Sequence, residues 1–501
     1  MIPMNLLTHN PEQQLSGKAK AFLARPKRLY INGQFVDAAA GGTFETEDPA
    51  LGIAITEVAS AMREDVEQAA AAARDAFEKR WSTLAPAQRG AYLFKLADLI
   101  SENLEELGHL EALDTGKPVK MATGEIWFAA ETYRYYAGWA TKLSGRSFDL
   151  SLQADPYHCV TLRQPVGVVA GIIAWNFPFV LASWKVAPAL AAGCTMILKP
   201  AEQTPLTALR LAELCNEAGL PPGVLNVLTG YGETAGAALA QSTNVDKVCF
   251  TGSVDVGKKI VQAATGNLKR VTLELGGKSP NVIFADTDLE TAIPAAATAI
   301  FRNTGQVCCA GSRLYVEKSV FDRVVDGVAE RAKSIKLGAA FNSESEIGPL
   351  MSETQLNRVR SYVQDGTKDG AKILAGGKHV GERGYFYEPT VLLSTTPAMS
   401  VEREEIFGPV VCAIPFDSAE EIPAVANQTL YGLAASIWTR DISKALRLAK
   451  TLNAGAVWVN CSDVFDPNLP WGGFKQSGWG RELGQEGVEA FTEMKAVTIK
   501  L

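Results

Sequence analysis

The stretch GQVCCAGSR, residues 305–313, sets Cys308 and Cys309 side by side. Adjacent cysteines lack the spacing of zinc ligands, and the chain's 4 histidines are isolated, so no metal centre is expected. Redox pairs normally hold two residues between their thiols, and a disulfide between neighbours closes a strained ring. Two readings remain. One thiol is a nucleophile, a role that suits a thiolate, or both are small buried apolar residues. The local sequence does not choose between the two thiols.

Other residues have types that could complete a reaction. Glu274, in LELGGKSP, lies between apolar residues and ahead of two glycines. A partly buried carboxylate there could take a proton from water; the plainer alternative is a solvated glutamate at a strand end. Asn176, in IIAWNFPF, occupies an apolar turn broken by proline. A buried amide needs partners, and one without a structural partner could donate to an oxyanion. FTGSVDVGKKI reads as a strand, a glycine turn and a helix start. Gly252 would admit a ligand to the backbone, and Ser253 with the first helical N–H groups could hold a pyrophosphate. The glycine spacing is not that of a dinucleotide fingerprint, so an ordinary strand-to-helix connection fits equally. In LKPAEQTP, Lys199 and Glu202 follow a strand, at the end where an open parallel sheet has its ligand crevice. An acidic residue there can bind a ribose diol and repel a 2′-phosphate; a solvated charged turn is the alternative.

These residues need elements to hold them. Short apolar runs rich in β-formers (VGVVAGIIA, TMILKP, VLNVLTG, KVCFTG, PNVIFA) alternate with helical runs. Among the latter, AQRGAYLFKLADLISENLEELGHLEAL reads as one amphipathic helix. TPLTALRLAELCNEAG is expected to start at Thr204 as N-cap, with Pro205 in its first turn, and to close at Gly219. The alternation argues for βαβ units and parallel sheet, and it repeats after Glu274, so two α/β domains meet near LELGGKSP. Residues 146–165 and the tail EMKAVTIKL alternate in strand fashion. They are expected to pair with each other or with another subunit.

A chain of 501 residues implies two or three domains. With 47% hydrophobic and 21% charged residues it is globular rather than disordered. A formal charge of −7 argues against nucleic acid or an anionic membrane as main partner. The most apolar region, residues 165–194, contains Asn176, Lys185 and three prolines, unlike a membrane span. The amino terminus lacks the apolar core of a signal peptide, and the 8 scattered cysteines suit the reducing cytoplasm.

In chain order, WNFP, LKPAEQTP, FTGSVDVG, LELGGKSP, GQVCCAGSR, EEIFGPV and PWGGFKQSGWGREL resemble the aldehyde dehydrogenase superfamily, and the match spans nearly the whole chain. The resemblance implies an α/β fold with a Rossmann-like NAD-binding domain (1–145 and 165–274) and an α/β catalytic domain (275–476). It adds a small β oligomerisation element (146–164 and 488–501). It places the nucleophile on Cys308, the general base on Glu274 and an oxyanion donor on Asn176, beside the Cys308 N–H. Cys309 is then expected to turn away in strand fashion or to fill space beside the acyl pocket. The cofactor NAD would lie against Lys199, Glu202, Gly252, Ser253 and Trp175, with Glu405 and Phe407 at its nicotinamide ribose and ring. A substrate tunnel would be lined by Phe128, Phe177, Leu181, Trp184, Arg302, Phe465 and Trp471.

The implied reaction is NAD-dependent oxidation of an aldehyde to a carboxylic acid through a cysteine thiohemiacetal and thioester. Residues 466–482 look most like bacterial phenylacetaldehyde-type enzymes, so an aromatic or arylalkyl aldehyde is the first expectation. Aromatic walls also attract quaternary ammonium groups, which keeps betaine aldehyde as an alternative that Arg302 disfavours. Medium-chain aliphatic aldehydes are also compatible. A CoA-acylating relative would typically lack the glutamate, and a purely structural relative would not need the Cys308, Glu274 and Asn176 set. A homo-oligomer, tetramer or dimer, is implied.

Overall fold

The computed structural model describes residues 11–153 and 156–501. The expectation for the extreme amino terminus, and the middle of the 146–164 segment, lie outside the described residues. An eight-stranded sheet runs in the order Gln34–Val36, Leu29–Ile31, Leu225–Val227, Thr195–Lys199, Val168–Ile172, Lys247–Thr251, Arg270–Glu274, Gly478–Trp479. The strands from Leu225–Val227 to Arg270–Glu274 are parallel, and the outer ones are antiparallel. Val168–Ile172 and Thr195–Lys199 are buried along their whole length, which is why they read as unbroken apolar runs. The chain passes from Val168–Ile172 to Thr195–Lys199 on one side and later to Lys247–Thr251 on the other. The strand order therefore reverses beside Val168–Ile172, and such a reversal opens a crevice at the carboxyl ends of the strands.

A second, seven-stranded sheet has the order Lys372–Ala375, Thr390–Leu393, Val410–Phe416, Arg313–Glu317, Pro280–Ile283, Ala434–Trp438, Ala456–Val459. All its neighbours are parallel except the first pair. The chain leaves the first sheet at Glu274 and enters the second at Pro280, so LELGGKSP joins the two. Near the carboxyl terminus Gly478–Trp479 returns to the edge of the first sheet, against Glu274. Thr492–Lys500 pairs antiparallel with Tyr157–Pro165 over its full length, and Ser147–Phe148 lies on the other side. The two unusual segments thus pair with each other.

Two local expectations need correction. The long run through residues 87–113 is two helices, Pro86–Glu102 and Leu104–Thr115. Asn103 separates them: its amide donates to the Leu99 carbonyl at 2.8 Å and its oxygen accepts from Lys18 at 2.7 Å. A side chain that competes for backbone partners in this way interrupts a helix. The other concerns Thr204, which does not cap its helix. Leu206–Ala218 starts after Pro205, and the buried Asp114 carboxylate accepts from Leu206 N at 2.9 Å. A tertiary contact replaces the local cap. Gly219 ends that helix in the left-handed conformation, as expected.

Candidate active site

The helix Leu289–Phe301 ends just before the cysteines. Asn303, Thr304 and Gly305 then follow with φ of 48°, 56° and 70°. Left-handed non-glycine residues cost of order 1–3 kcal/mol each, so the surroundings must hold them. Asn303 Nδ2 donates to Asn176 O at 3.2 Å, and Thr304 Oγ1 donates to Gly348 O at 2.8 Å. The Gln306 side chain accepts from Met351 N at 2.8 Å. Gly305 must be glycine twice over, because its φ is positive and a Cβ would collide with the Gly408 carbonyl.

This turn leaves Cys308 half-buried and Cys309 buried. The Cys309 thiol lies 3.5 Å from Asp463 Oδ1. The neighbouring Cys308 side chain, burial and Asp463 push the Cys309 thiol well above its ordinary range, so it stays protonated. The two cysteines occupy a turn rather than a strand, and Cys309 is a wall residue beside Asp463.

Glu274 ends the strand Arg270–Glu274, and its carboxyl is buried. Oε2 has no hydrogen-bond partner among the described residues. Burial first, then Glu482 and the Cys308 thiol, hold this carboxyl well above the usual carboxylate range, while Lys185 and Arg481 oppose the shift. Lys185 projects from the apolar helix Pro178–Ala192 and contacts Glu482 Oε1 and Thr251 Oγ1, both at 2.6 Å. Once such a carboxyl has lost its proton, its raised basicity suits it to accept one from water.

Asn176 is buried in the turn after Val168–Ile172. Its Nδ2 donates to Gln306 O at 3.1 Å, so the amide does have a structural partner. A primary amide carries two N–H donors, which leaves one for a ligand. The Asn176 carbonyl accepts from Lys117 Nζ at 2.8 Å as well as from Asn303.

The switch-point crevice carries the residues expected near a dinucleotide. Lys199 ends its strand, buried, with Nζ 2.9 Å from Pro200 O and 3.7 Å from Glu202. Burial lowers its pKa to about 8 against the pull of Glu202. Ser253 follows Gly252 and caps the helix Val254–Ala264, accepting from Val256 N at 3.3 Å. On the second-sheet side, Glu405 Oε1 accepts from Gly277 N at 3.0 Å, and Gly276 leaves room for the carboxylate. Loss of water pushes Glu405 up to about 7, opposed by the Gly277 N–H. Gln355 and Arg358, from the helix Glu353–Lys368, donate to the carbonyls of Phe407 and Glu405 at 2.7 and 2.6 Å. The Phe407 ring meets Trp175 edge-on at 5.2 Å. A strand-switch crevice, a helix amino terminus and an acidic residue beyond a strand end together fit a dinucleotide.

An aromatic cluster surrounds Trp184. Trp184 lies 6.5 Å from Phe128 and 5.9 Å from Phe465, and Phe465 lies 4.9 Å from Trp471. Leu181 and Trp184 share one helix face. These side chains, Phe177 and both cysteines belong to one apolar cluster. The Arg302 guanidinium lies 5.8 Å from the Phe177 ring centroid.

The description of the aldehyde dehydrogenase family matches residues 35–497. The chain belongs to the aldehyde dehydrogenase family. The DhaS protein of Bacillus subtilis (strain 168) is 48% identical over 490 residues, covering 97% of this chain and 98% of that protein. The NAD+ complex of aldehyde dehydrogenase from Bacillus cereus superimposes with a TM-score of 0.95 at 48% identity, covering 97% and 99% of the two chains. Betaine aldehyde dehydrogenase from Staphylococcus aureus, solved with NAD+, gives 0.94 at 39% identity and covers 97% of each chain. This aldehyde dehydrogenase is an oxidoreductase acting on aldehydes, with NAD as cofactor.

Three residues of this aldehyde dehydrogenase stand in the site without having been singled out for it in the sequence. Trp458 stacks on Trp471 at 6.2 Å and lies 5.9 Å from Phe465. Its signal was an aromatic in the strand Ala456–Val459, shortly before the Asp463–Phe465 turn. Lys185 and Glu482 pair behind Glu274. Lys185 was visible as a cation inside an apolar run, where a charge needs a buried partner.

Proposed function

We propose that Cys308 is the nucleophile, Glu274 the general base and Asn176 an oxyanion donor in the oxidation of an arylalkyl aldehyde to its acid. The observation that carries this reading is the buried Glu274 carboxyl, with one oxygen unpartnered among the described residues, beside a half-buried thiol; once its proton has left, its raised pKa makes it a stronger base. Cys308 attacks the carbonyl carbon, and the Asn176 amide and Cys308 N–H face the oxygen as it gains charge, each such donor contributing about 2.7–4 kcal/mol. When bound, NAD supplies the hydride acceptor. The acyl group remains on Cys308 as a thioester, and Glu274 takes a proton from the water that releases it. Lys199 and Glu202 hold the adenosine ribose, Gly252 and Ser253 the pyrophosphate, and Glu405, Phe407 and Trp175 flank the nicotinamide end.

Phe128, Phe177, Leu181, Trp184, Phe465 and Trp471 form flat apolar walls that suit an aryl group. A betaine aldehyde reading has support from the Staphylococcus aureus neighbour and from cation attraction to such rings. Arg302, beside Phe177, opposes it by charge. Glu274 argues against a CoA-acylating branch. A panel of phenylacetaldehyde, betaine aldehyde and hexanal, read by NADH release, tests the reading. Preference for betaine aldehyde overturns the arylalkyl choice, and no NADH with any of the three overturns the whole assignment.

The NAD-binding domain is 1–145 with 165–274, the catalytic domain 275–476, and the oligomerisation element 146–164 with 488–501. Exposed Leu162, Met494 and Ile499 on the paired strands favour assembly into a tetramer or dimer. No helix among the described residues is long and apolar enough to cross a membrane. The thiols are all free, which suits the cytoplasm.

A further inference from the structure

Lys117 lies in the short link between the helices Leu104–Thr115 and Val119–Trp139, and its side chain is fully buried. Its Nζ contacts Glu125 Oε2 at 2.6 Å and lies 3.9 Å from Glu111. The remaining strong contact goes to the carbonyl of Asn176, at 2.8 Å. Nζ also lies 4.6 Å from the Phe177 ring centroid. The same Asn176 carbonyl accepts from Asn303, inside the left-handed turn, and the Asn176 amide reaches Gln306 O, two residues before Cys308. The Asn176 peptide is therefore clamped between a charged donor from the helical layer and a neutral donor from the nucleophile turn. Hydrogen bonds from a charged donor are shorter and stronger than neutral ones, so Lys117 dominates that clamp.

We propose that Lys117 is a positioning residue that fixes the Asn176 amide relative to Cys308, and so sets the oxyanion site from a helical layer remote in sequence. The proposal rests on the roles assigned to Cys308 and Asn176. Lys117 itself need touch neither substrate nor cofactor. Without it, the Asn176 carbonyl keeps only the neutral Asn303 donor and the residue gains freedom, while the turn that carries Cys308 keeps its own contacts through Thr304, Gln306 and Gly305.

That separation makes a test. In the full-length protein, Lys117→Met removes the donor but strands Glu125. Lys117→Met with Glu125→Gln removes the donor and the stranded charge together, so that loss of folding does not mask the result. Three quantities are read: NADH turnover with phenylacetaldehyde and hexanal, NAD affinity by fluorescence, and the rate at which iodoacetamide alkylates Cys308, located by mass spectrometry. Alkylation needs the thiol but no oxyanion donor. The expected result is a kcat lower by about tenfold or more on both aldehydes, part of the roughly 10²–10³ lost when an oxyanion donor is removed. NAD affinity and alkylation rate should be unchanged, and Lys117→Arg, which keeps a charged donor, should recover part of the loss. Unchanged turnover in the folded double variant overturns the proposal. So does a parallel fall in turnover and alkylation, which would make Lys117 a general scaffold. A wild-type protein that alkylates at Cys308 yet yields no NADH would instead overturn the reading of the site.

Discussion

Lys117 and Lys185 are both fully buried, and each lies near two glutamates within reach of the reactive turn. Around Lys117 both acids are held by partners, a closed arrangement, although Glu125 Oε1 itself has none among the described residues. Glu125 pairs with the lysine, and the second acid, Glu111, accepts from Thr207 Oγ1 at 3.1 Å and Phe179 N at 3.4 Å. Around Lys185 it is open. Glu482 takes the ion pair, while the second acid, Glu274, keeps an oxygen with no partner among the described residues. Glu125 Oε1, Glu482 Oε2 and Glu274 Oε2 all lack partners among the described residues, each at a cost of about 1–3 kcal/mol, but Glu125 and Glu482 each hold a lysine through the other oxygen. On the proposed roles, the closed cluster holds geometry and the open one holds the proton acceptor.

The comparison can be broken most severely at the thiols it serves. Cys308→Ala should lower NADH formation by about 10⁴-fold or more, as loss of a nucleophile does. Cys309→Ala should retain most activity, and the reverse pattern in a steady-state assay would assign the open cluster to the wrong sulfur. Glu274→Gln should slow steady-state turnover by about 10²–10⁴-fold while sparing an initial NADH burst. A stopped-flow trace without a burst would place the defect before acylation.

The closed cluster should answer through stability. Lys117→Met alone should cost about 3–5 kcal/mol by stranding a buried carboxylate, read from urea midpoints. Glu125→Gln in the same chain should restore part of that loss. The open cluster should answer through pH. Because the Glu274 pKa is raised, the carboxyl stays protonated where a surface glutamate is already charged, so turnover rises with pH only as that proton leaves. Lys185 favours the charged form. Lys185→Met should therefore move this limb of the pH profile to higher pH, and a profile that stays put would uncouple Lys185 from Glu274. Smallest of all, Glu202→Gln should raise the use of NADP relative to NAD, measured as a ratio of kcat/KM values. An unchanged ratio would leave the half-exposed carboxylate without a role in cofactor choice.

The parallel sheets were legible because fully buried strands read as unbroken apolar runs, and the crevice residues were legible because strand, turn and helix are contiguous in FTGSVDVGKKI. What was hidden depends on contacts between distant segments. Asp114 caps Leu206–Ala218 across 92 residues, where Thr204 was the local candidate. Trp458 joins the aromatic wall by packing, which no local pattern encodes. Lys117 sits in an ordinary-looking LDTGKPV link, and only its 59-residue separation from Asn176 closing in space makes it a clamp. The choice between Cys308 and Cys309 was likewise undecidable from residue type. It takes the half-burial of one and the Asp463 contact of the other to tell them apart.

The contact of Gly305 with the Gly408 carbonyl has a consequence for how this scaffold can be modified. It is backbone against backbone, between the turn that carries Cys308 and the turn that carries Phe407. None of the aromatic side chains proposed to line the acyl pocket takes part in that close approach. On the proposed roles, libraries that exchange Phe128, Trp184, Phe465 or Trp471 should retune which aldehyde enters while the two turns keep their register, whereas a Cβ at position 305 should impair turnover of every substrate at once.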